Sequence, residues 1–209
     1  MLTIKEAIEQ RRSIRQFKYD PVPDESISQI LEAARQAPSS ANLQPWYFVV
    51  VKNQDKKNEL SEICWGQRDI ADAPVDIVCF ADYNMYSRDE RAKRRAESAS
   101  PSAPRTPSRF DDPKFREYLK SHSLPPGQDT LSSIVANTFI AIEHILLMAT
   151  GLGLSTCWIG GFTEYKKINE LFGLGENMVP VAVVPVGYAA GDLPKARTRR
   201  PLSEIAKWV

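Results

Sequence analysis

The stretch from Asp129 to Thr150 constrains the fold of this chain more than any other. It is the longest helical pattern, and Leu131, Ile134, Val135, Phe139, Ile142 and Leu146, with other apolar residues, occupy nearly its whole circumference. A helix that is apolar all round must be covered on all sides. A chain of 209 residues has material for one good core in a single domain. Within one small domain the pattern predicts a central helix shared with a second subunit.

Around this helix the hydrophobic period switches between helix and strand. Thr3 with Glu6 forms a capping box, and Ile4, Ala7 and Ile8 mark one face of a short helix that ends where a run of arginines begins. Asp24 is expected to cap a second helix carrying Ile27, Ile30, Leu31 and Ala34 and stopping at Pro38. Trp46 to Val51 and Val75 to Phe80 read as strands, with a helix from Asp55 through Leu60 and Ile63 between them. Ser155 to Ile159 and Val181 to Tyr188 read as two further strands. The helix between them is expected to be capped by Thr163 and closed by Gly173. Strands do not alternate strictly with helices, so the order predicts an α+β protein. A central mixed or antiparallel sheet would be flanked by helices, with the long helix at a dimer interface.

From Tyr83 to about Gly127 the character changes. Arg88 to Arg95 is a charged run, and Ser98 to Pro107 is rich in Ser, Ala and Pro. Asp112 and Pro113 then open a short helix carrying Phe115, Tyr118 and Leu119. This excursion reads equally as a cap on the domain or as a solvated insertion. The tail from Leu202 ends in Lys207-Trp208-Val209, and a terminal Trp points to docking on a partner surface.

Composition removes several classes. The formal net charge of +1 lacks the broad basic face of a general nucleic-acid binder. No apolar run is read as long enough to span a bilayer, and the N-terminus lacks the basic-then-apolar pattern of a signal peptide. A cytoplasmic protein is expected. Cys64, Cys79 and Cys157 are far apart, and no Cys/His ligand spacing exists, so a metal site is not expected. His144 reads as a packed or hydrogen-bonded core residue.

Four stretches carry the chemistry. Arg11-Arg12-Ser13-Ile14-Arg15 concentrates three guanidinium groups and a hydroxyl, the groups that hold a phosphate, in a chain that is otherwise neutral. Ala37-Pro38-Ser39-Ser40-Ala41-Asn42-Leu43-Gln44-Pro45-Trp46 places two hydroxyls and two amides in a helix-to-strand loop. Trp158-Ile159-Gly160-Gly161-Phe162 ends a strand, and its paired glycines let a flat ligand approach the backbone N–H groups. Arg197-Thr198-Arg199-Arg200-Pro201 is a second cationic cluster. Two anion sites, a polar loop and a glycine corner describe a phosphorylated planar cofactor, and FMN fits. A dinucleotide fingerprint does not: Gly151-Leu152-Gly153-Leu154-Ser155 follows a helix and precedes a strand, so it reads as a helix end.

With these motifs in this order, "RRSIRQF", "APSSANLQPW", "IGGF" and "RRPL", the chain resembles the nitroreductase family of FMN-dependent oxidoreductases. The resemblance covers nearly all of residues 1–209 as one FMN-binding domain, apart from the cap at about 83–127. It implies that Arg11, Ser13 and Arg199 grip the FMN phosphate, with Arg197 or Arg200 as alternatives to Arg199. Arg12 would lie along the ribityl-phosphate side, and Arg15 would face the pyrimidine end. There its cation would stabilise charge building on the reduced flavin. Ser39, Ser40 and Asn42 match a loop that reaches the flavin from the opposite subunit, and Gln67 is a candidate for the pyrimidine edge. Ile159, Gly160 and Gly161 match the corner whose backbone meets flavin N5 and O4. Some relatives carry Glu where Gly160 stands.

The resemblance further implies a homodimer with two FMN sites at its interface. Hydride would pass from NAD(P)H to the flavin and on to a nitroaromatic, quinone or similar flat acceptor, in ping-pong fashion. No catalytic side chain is assigned. The lid of the family's deiodinases has no counterpart, because Cys64 to Val75 is too short to hold it. Alternatives are another FMN reaction on the same scaffold, such as an oxidative dehydrogenation or a flavin-consuming step, or a non-catalytic FMN-binding regulator.

Overall fold

The computed structural model describes residues 2–98, 113, 114, 117, 128–192, 194 and 198–209. The helices are α1 (Ile4–Gln10), α2 (Asp24–Arg35), α3 (Gln54–Ile63), α4 (Arg68–Asp72), α5 (Arg88–Ser98), α6 (Gln128–Gly151), α7 (Tyr165–Phe172) and α8 (Leu202–Ile205). The strands are β1 (Trp46–Val51), β2 (Val75–Asp82), β3 (Ser155–Thr156) and β4 (Met178–Gly187). They form one sheet in the order β1-β2-β4-β3. Every neighbouring pair is antiparallel. The sheet is therefore antiparallel rather than mixed, and the parallel bridge from Ser13 to Thr156 lies outside its strands.

Strand β2 is interior to the sheet and buried on both faces, which is why its stretch Ile77–Ala81 is continuously apolar rather than alternating. Val75, Ile77 and Cys79 join one core with Ile27, Ile30 and Ala34 of α2 and Ile142, Ile145 and Ala149 of α6. Val78 and Phe80 join a second core with Leu60 of α3 and Ile168 of α7. Helices thus cover both faces of the sheet.

Among the described residues helix α6 is covered on one side and exposed on another. Ile134, Ala141, Ile142 and Ile145 are buried, whereas Leu131, Phe139 and Ile140 are exposed. Its stretch Leu131–Gly151 has mean hydropathy 1.6. By length and composition it could cross a membrane, contrary to the expectation that no such run exists. Here that apolarity serves the core, and His144 Nδ1 lies 2.9 Å from the Ala33 carbonyl oxygen of α2. The Gly151-to-Ser155 run closes α6, with the Leu154 N–H donating to Ala149 O at 2.9 Å.

Two expected caps are displaced. The α1 capping box forms as read from Thr3 and Glu6. Asp24, however, is the first residue of α2 rather than its cap, which is Pro23. The Asp24 carboxylate is drawn instead to Lys52 across the edge of the sheet. Helix α7 starts behind Glu164, not Thr163, and Glu164 pairs with Lys167 at 3.1 Å.

Strand β3 is also shorter than Ser155 to Ile159. Its register on β4 pairs Ser155 with Gly187 and Thr156 with Val186, and the bridge of Ile159 to Val183 continues the same register. Cys157 therefore stands opposite Pro185, to whose carbonyl it donates at 3.4 Å. Proline has no N–H to return, so the ladder is interrupted there.

Candidate functional site

The arginine run lies along the β3 edge. Ile14 N–H donates to Thr156 O at 2.9 Å, and Lys18 N–H donates to Tyr188 O at 2.8 Å. These bonds set Arg11, Ser13 and Arg15 beside Thr156 and Cys157. Arg11 lies 4.0 Å from Glu143 of α6. Arg12 turns back, and its Nη1 donates to Glu9 O and Arg11 O at 2.6 and 2.8 Å. It thereby supplies a cation at the C-terminal end of α1. Among the described residues its buried Nε has no hydrogen-bond partner. Arg11 and Arg12 border a cleft of about 520 Å³ whose other wall is the α6 end, Thr150 to Ser155.

The glycine corner follows along the same edge. Four residues of extended chain, about 13 Å, separate Thr156 from Gly160. Gly160 lies beside Trp158, and a Cβ at Gly161 would stand 3.5 Å from Trp65 Cζ3. Trp158 meets Phe139 of α6 edge-to-face at 5.1 Å. Beyond the corner opens a cleft of about 720 Å³, bordered by Leu131, Val135 and Phe139 of α6, by Gly160 and by the start of β4. Ile159 is buried and bridged to Val183, which fixes the height of the corner on the sheet.

The α3–α4 connection joins the two ends. Ser61 Oγ donates to Gln67 O at 2.7 Å, and Gln67 Nε2 donates to Cys64 O at 3.1 Å. Two residues on, Asp69 is buried. Burial pushes its carboxyl up; its own backbone N–H, the Arg15 charge and the Cys157 thiol pull the other way. Cys157 is likewise pushed up, first by burial. Beneath this layer Asp76 has no exposure, and among the described residues neither carboxyl oxygen has a hydrogen-bond partner. Burial raises its pKa well above the ordinary carboxyl range, against the nearby Lys57 charge. Lys57 is itself buried and donates to Ala73 O at 2.6 Å, and burial lowers its pKa.

The Ser39–Asn42 segment is a short 3₁₀ turn held by the Ser40 N–H donating to Asn137 Oδ1 of α6 at 2.8 Å. Asn137 precedes Glu143 by six residues, about 9 Å along the helix. Among the described residues no hydrogen bond links Ser39, Ser40 or Asn42 to the arginine run or the glycine corner. Arg199 is exposed and its Nη1 donates to Thr198 O at 3.1 Å; Arg200 is exposed, and Arg197 lies outside the described residues.

One property unites the separated pieces. The non-glycine residues with positive φ among the described residues are Ala41, Asn42, Gln44 and Trp65. All four lie in the polar loop or at the start of the connection to Gln67. Strained backbone persists only where the surroundings demand it, and it gathers at functional sites. Trp65 is the residue the sequence reading missed. Its only signal there was an aromatic immediately before a glycine, at a helix end.

Known proteins resemble this chain over most of its length. The profile of the nitroreductase family matches residues 8–188. The putative NAD(P)H nitroreductase YdgI of Bacillus subtilis is 31% identical over 208 residues, covering 97% of this chain and 96% of that protein. The NADH dehydrogenase of Thermus thermophilus is 29% identical over 211 residues, covering 100% and 97%. Among solved structures, a putative nitroreductase from Exiguobacterium sibiricum in complex with FMN superposes with a TM-score of 0.77 at 26% identity, covering 100% of this chain and 98% of that one.

Proposed function

Because the chain belongs to the nitroreductase family, we propose that it is an FMN-dependent oxidoreductase that takes electrons from NAD(P)H and delivers them to a flat acceptor, a nitroaromatic or quinone. The observation that carries this reading is the β3 edge and the chain that continues in its register to the Ile159 bridge. Together they present the guanidinium and hydroxyl groups of Arg11, Ser13 and Arg15 at one end and the Gly160–Gly161 backbone at the other. The donor set suits FMN: cations and a hydroxyl for a phosphate, then an uncluttered backbone for a heterocycle.

In this reading Arg11, Ser13 and Arg199 hold the phosphate, with Arg12 behind them. Arg15 faces the pyrimidine end, with Gln67 beside it. Gly160 and Gly161 offer N–H groups to the ring. FMN, when bound, supplies hydride acceptance and donation. The protein's part is to orient the ring, to keep a cation near its pyrimidine end and to border an apolar cleft for the reacting partner.

The apolar faces left exposed on α6, together with Ile4 and Ile8 of α1 and Trp208, which is 90% exposed, support a homodimer. A second copy would bring its Ser39–Asn42 turn to this FMN site. We place the active protein in the cytoplasm as one domain over residues 1–209; most of the cap expected at about 83–127 lies outside the described residues.

The visible spectrum of the purified protein tests this. A flavin spectrum that bleaches anaerobically with NADH or NADPH and returns on adding a nitroaromatic is expected. A colourless protein that takes up no FMN refutes the reading. Arg11→Ala and Arg199→Ala are each expected to weaken FMN retention, and unchanged affinity in both refutes the phosphate assignment.

A further inference from the structure

Helices α3, α6 and α7 end in the same hydrogen-bond arrangement. At α7 the Leu174 N–H donates to Asn169 O and the Gly173 N–H to Glu170 O, at 2.9 and 3.2 Å. At α6 Leu154 and Gly153 donate to Ala149 O and Thr150 O in the same way, at 2.9 and 3.0 Å. At α3 the donors are Gly66 to Ser61 O and Trp65 to Glu62 O, at 2.8 and 3.2 Å. This motif puts one residue in the left-handed region, where glycine is at home. Gly173 and Gly153 fill that place at φ +66° and +76°. In α3 it is filled by Trp65, at φ +63°.

A tryptophan in that conformation is strained. Among the described residues packing does not repay the strain: Trp65 is 66% exposed and belongs to none of their buried clusters. What the conformation achieves is placement. A right-handed residue here would prolong α3 and turn the indole away. The left-handed one sets indole Cζ3 3.5 Å from where a Gly161 Cβ would stand and leaves most of the residue exposed.

We infer that Trp65 is a specificity-determining wall of the reacting site, stacking on an electron-poor planar ring brought to the Gly160–Gly161 corner. The inference rests on the FMN reading above. The indole is large, flat and electron-rich, so offset stacking on an electron-poor ring is its favoured contact. The fixed backbone leaves only two side-chain torsions to be ordered on binding. The nicotinamide ring of the donor and the ring of a nitroaromatic or quinone acceptor share this chemistry.

The experiment uses FMN-loaded protein as wild type, Trp65→Gly and Trp65→Phe. NAD⁺ and 4-nitrobenzoate are titrated separately, with binding read from perturbation of the flavin absorbance band, and each variant is unfolded in urea. Trp65→Gly is expected to keep its FMN and to unfold at no lower urea concentration than wild type. It is expected to bind at least one probe about tenfold more weakly, with most of the loss recovered in Trp65→Phe. Loss confined to NAD⁺ assigns the wall to the donor, and loss confined to 4-nitrobenzoate assigns it to the acceptor. Unchanged binding of both probes to FMN-loaded Trp65→Gly overturns the inference and leaves the FMN reading standing. So does a fall in its urea midpoint without a change in binding, which would make Trp65 a packing residue. A wild-type protein that takes up no FMN overturns both.

Discussion

The ends of α7 and α3 share one hydrogen-bond pattern and differ in one residue. At α7 Gly173 takes the left-handed place and the chain passes on to β4. At α3 that place holds Trp65, although Gly66 is adjacent and also has positive φ, +71°. The first helix end follows the conformational preference of its residues, and it is architecture. The second opposes that preference and carries a side chain toward the glycine corner. Departure from local preference, where no core contact repays it, marks the part of the molecule that meets other molecules.

Substitutions can break or sharpen this contrast. The largest effect is expected from Gly187→Ala. This glycine is kept for close approach rather than for φ, since a Cβ would stand 2.6 Å from Pro74 Cδ and 3.0 Å from Phe17 Cδ1. Overpacking there should destabilise by about 3 kcal/mol in urea denaturation. Gly173→Trp transplants the α3 arrangement to α7. Nothing lies within 4 Å of a Cβ at that position, so only the backbone resists. A loss of about 1 kcal/mol is expected, the left-handed cost less the unfolded-chain freedom that goes with the glycine, and no loss would remove the argument for strain at Trp65.

The contrast must also be read at a stated pH, because of Asp76. Its folded pKa is raised above the ordinary 3.8 by burial. Above that pH the folded state holds a proton that the unfolded chain releases, so stability falls as pH rises through the window between the two values. Asp76→Asn should therefore gain about 1 kcal/mol at about pH 8 and nothing at about pH 4, read from urea midpoints at both. The smallest effect belongs to Trp65→Gly. Relief of about 1–2 kcal/mol is offset by the freedom glycine returns to the unfolded chain, leaving a gain of about 0.5–1 kcal/mol.

Much of this layout was legible from residue order. The strands at Trp46 and Val75, the capping box of Thr3 and Glu6 and the glycine end of α7 follow from local preference, and the structure contains them. What misled was competition at longer range. Asp24 has the chemistry of a cap, but Lys52, far away in sequence, claims its carboxylate. Ser155 to Ile159 has the composition of a strand, but Pro185 on the opposite strand cannot complete the ladder. Trp65 was invisible for the opposite reason. The rule that glycine takes the left-handed place would have assigned that place to Gly66. The arginine run was conspicuous as a cluster, yet nothing local foretold that Arg12 would turn back onto the end of α1 while Arg11 and Arg15 stayed beside β3.

The arm from Arg11 to Lys18 has a consequence of a different kind. Its bonds to Thr156 and Tyr188, and the one it receives from Ala190 at Gln16, cover an edge of the sheet that β3 is too short to protect. An uncovered strand edge is a template for another chain. A chain trimmed through Phe17 would present that edge bare. Its first fault would be self-association into insoluble material, setting in before any cofactor is offered.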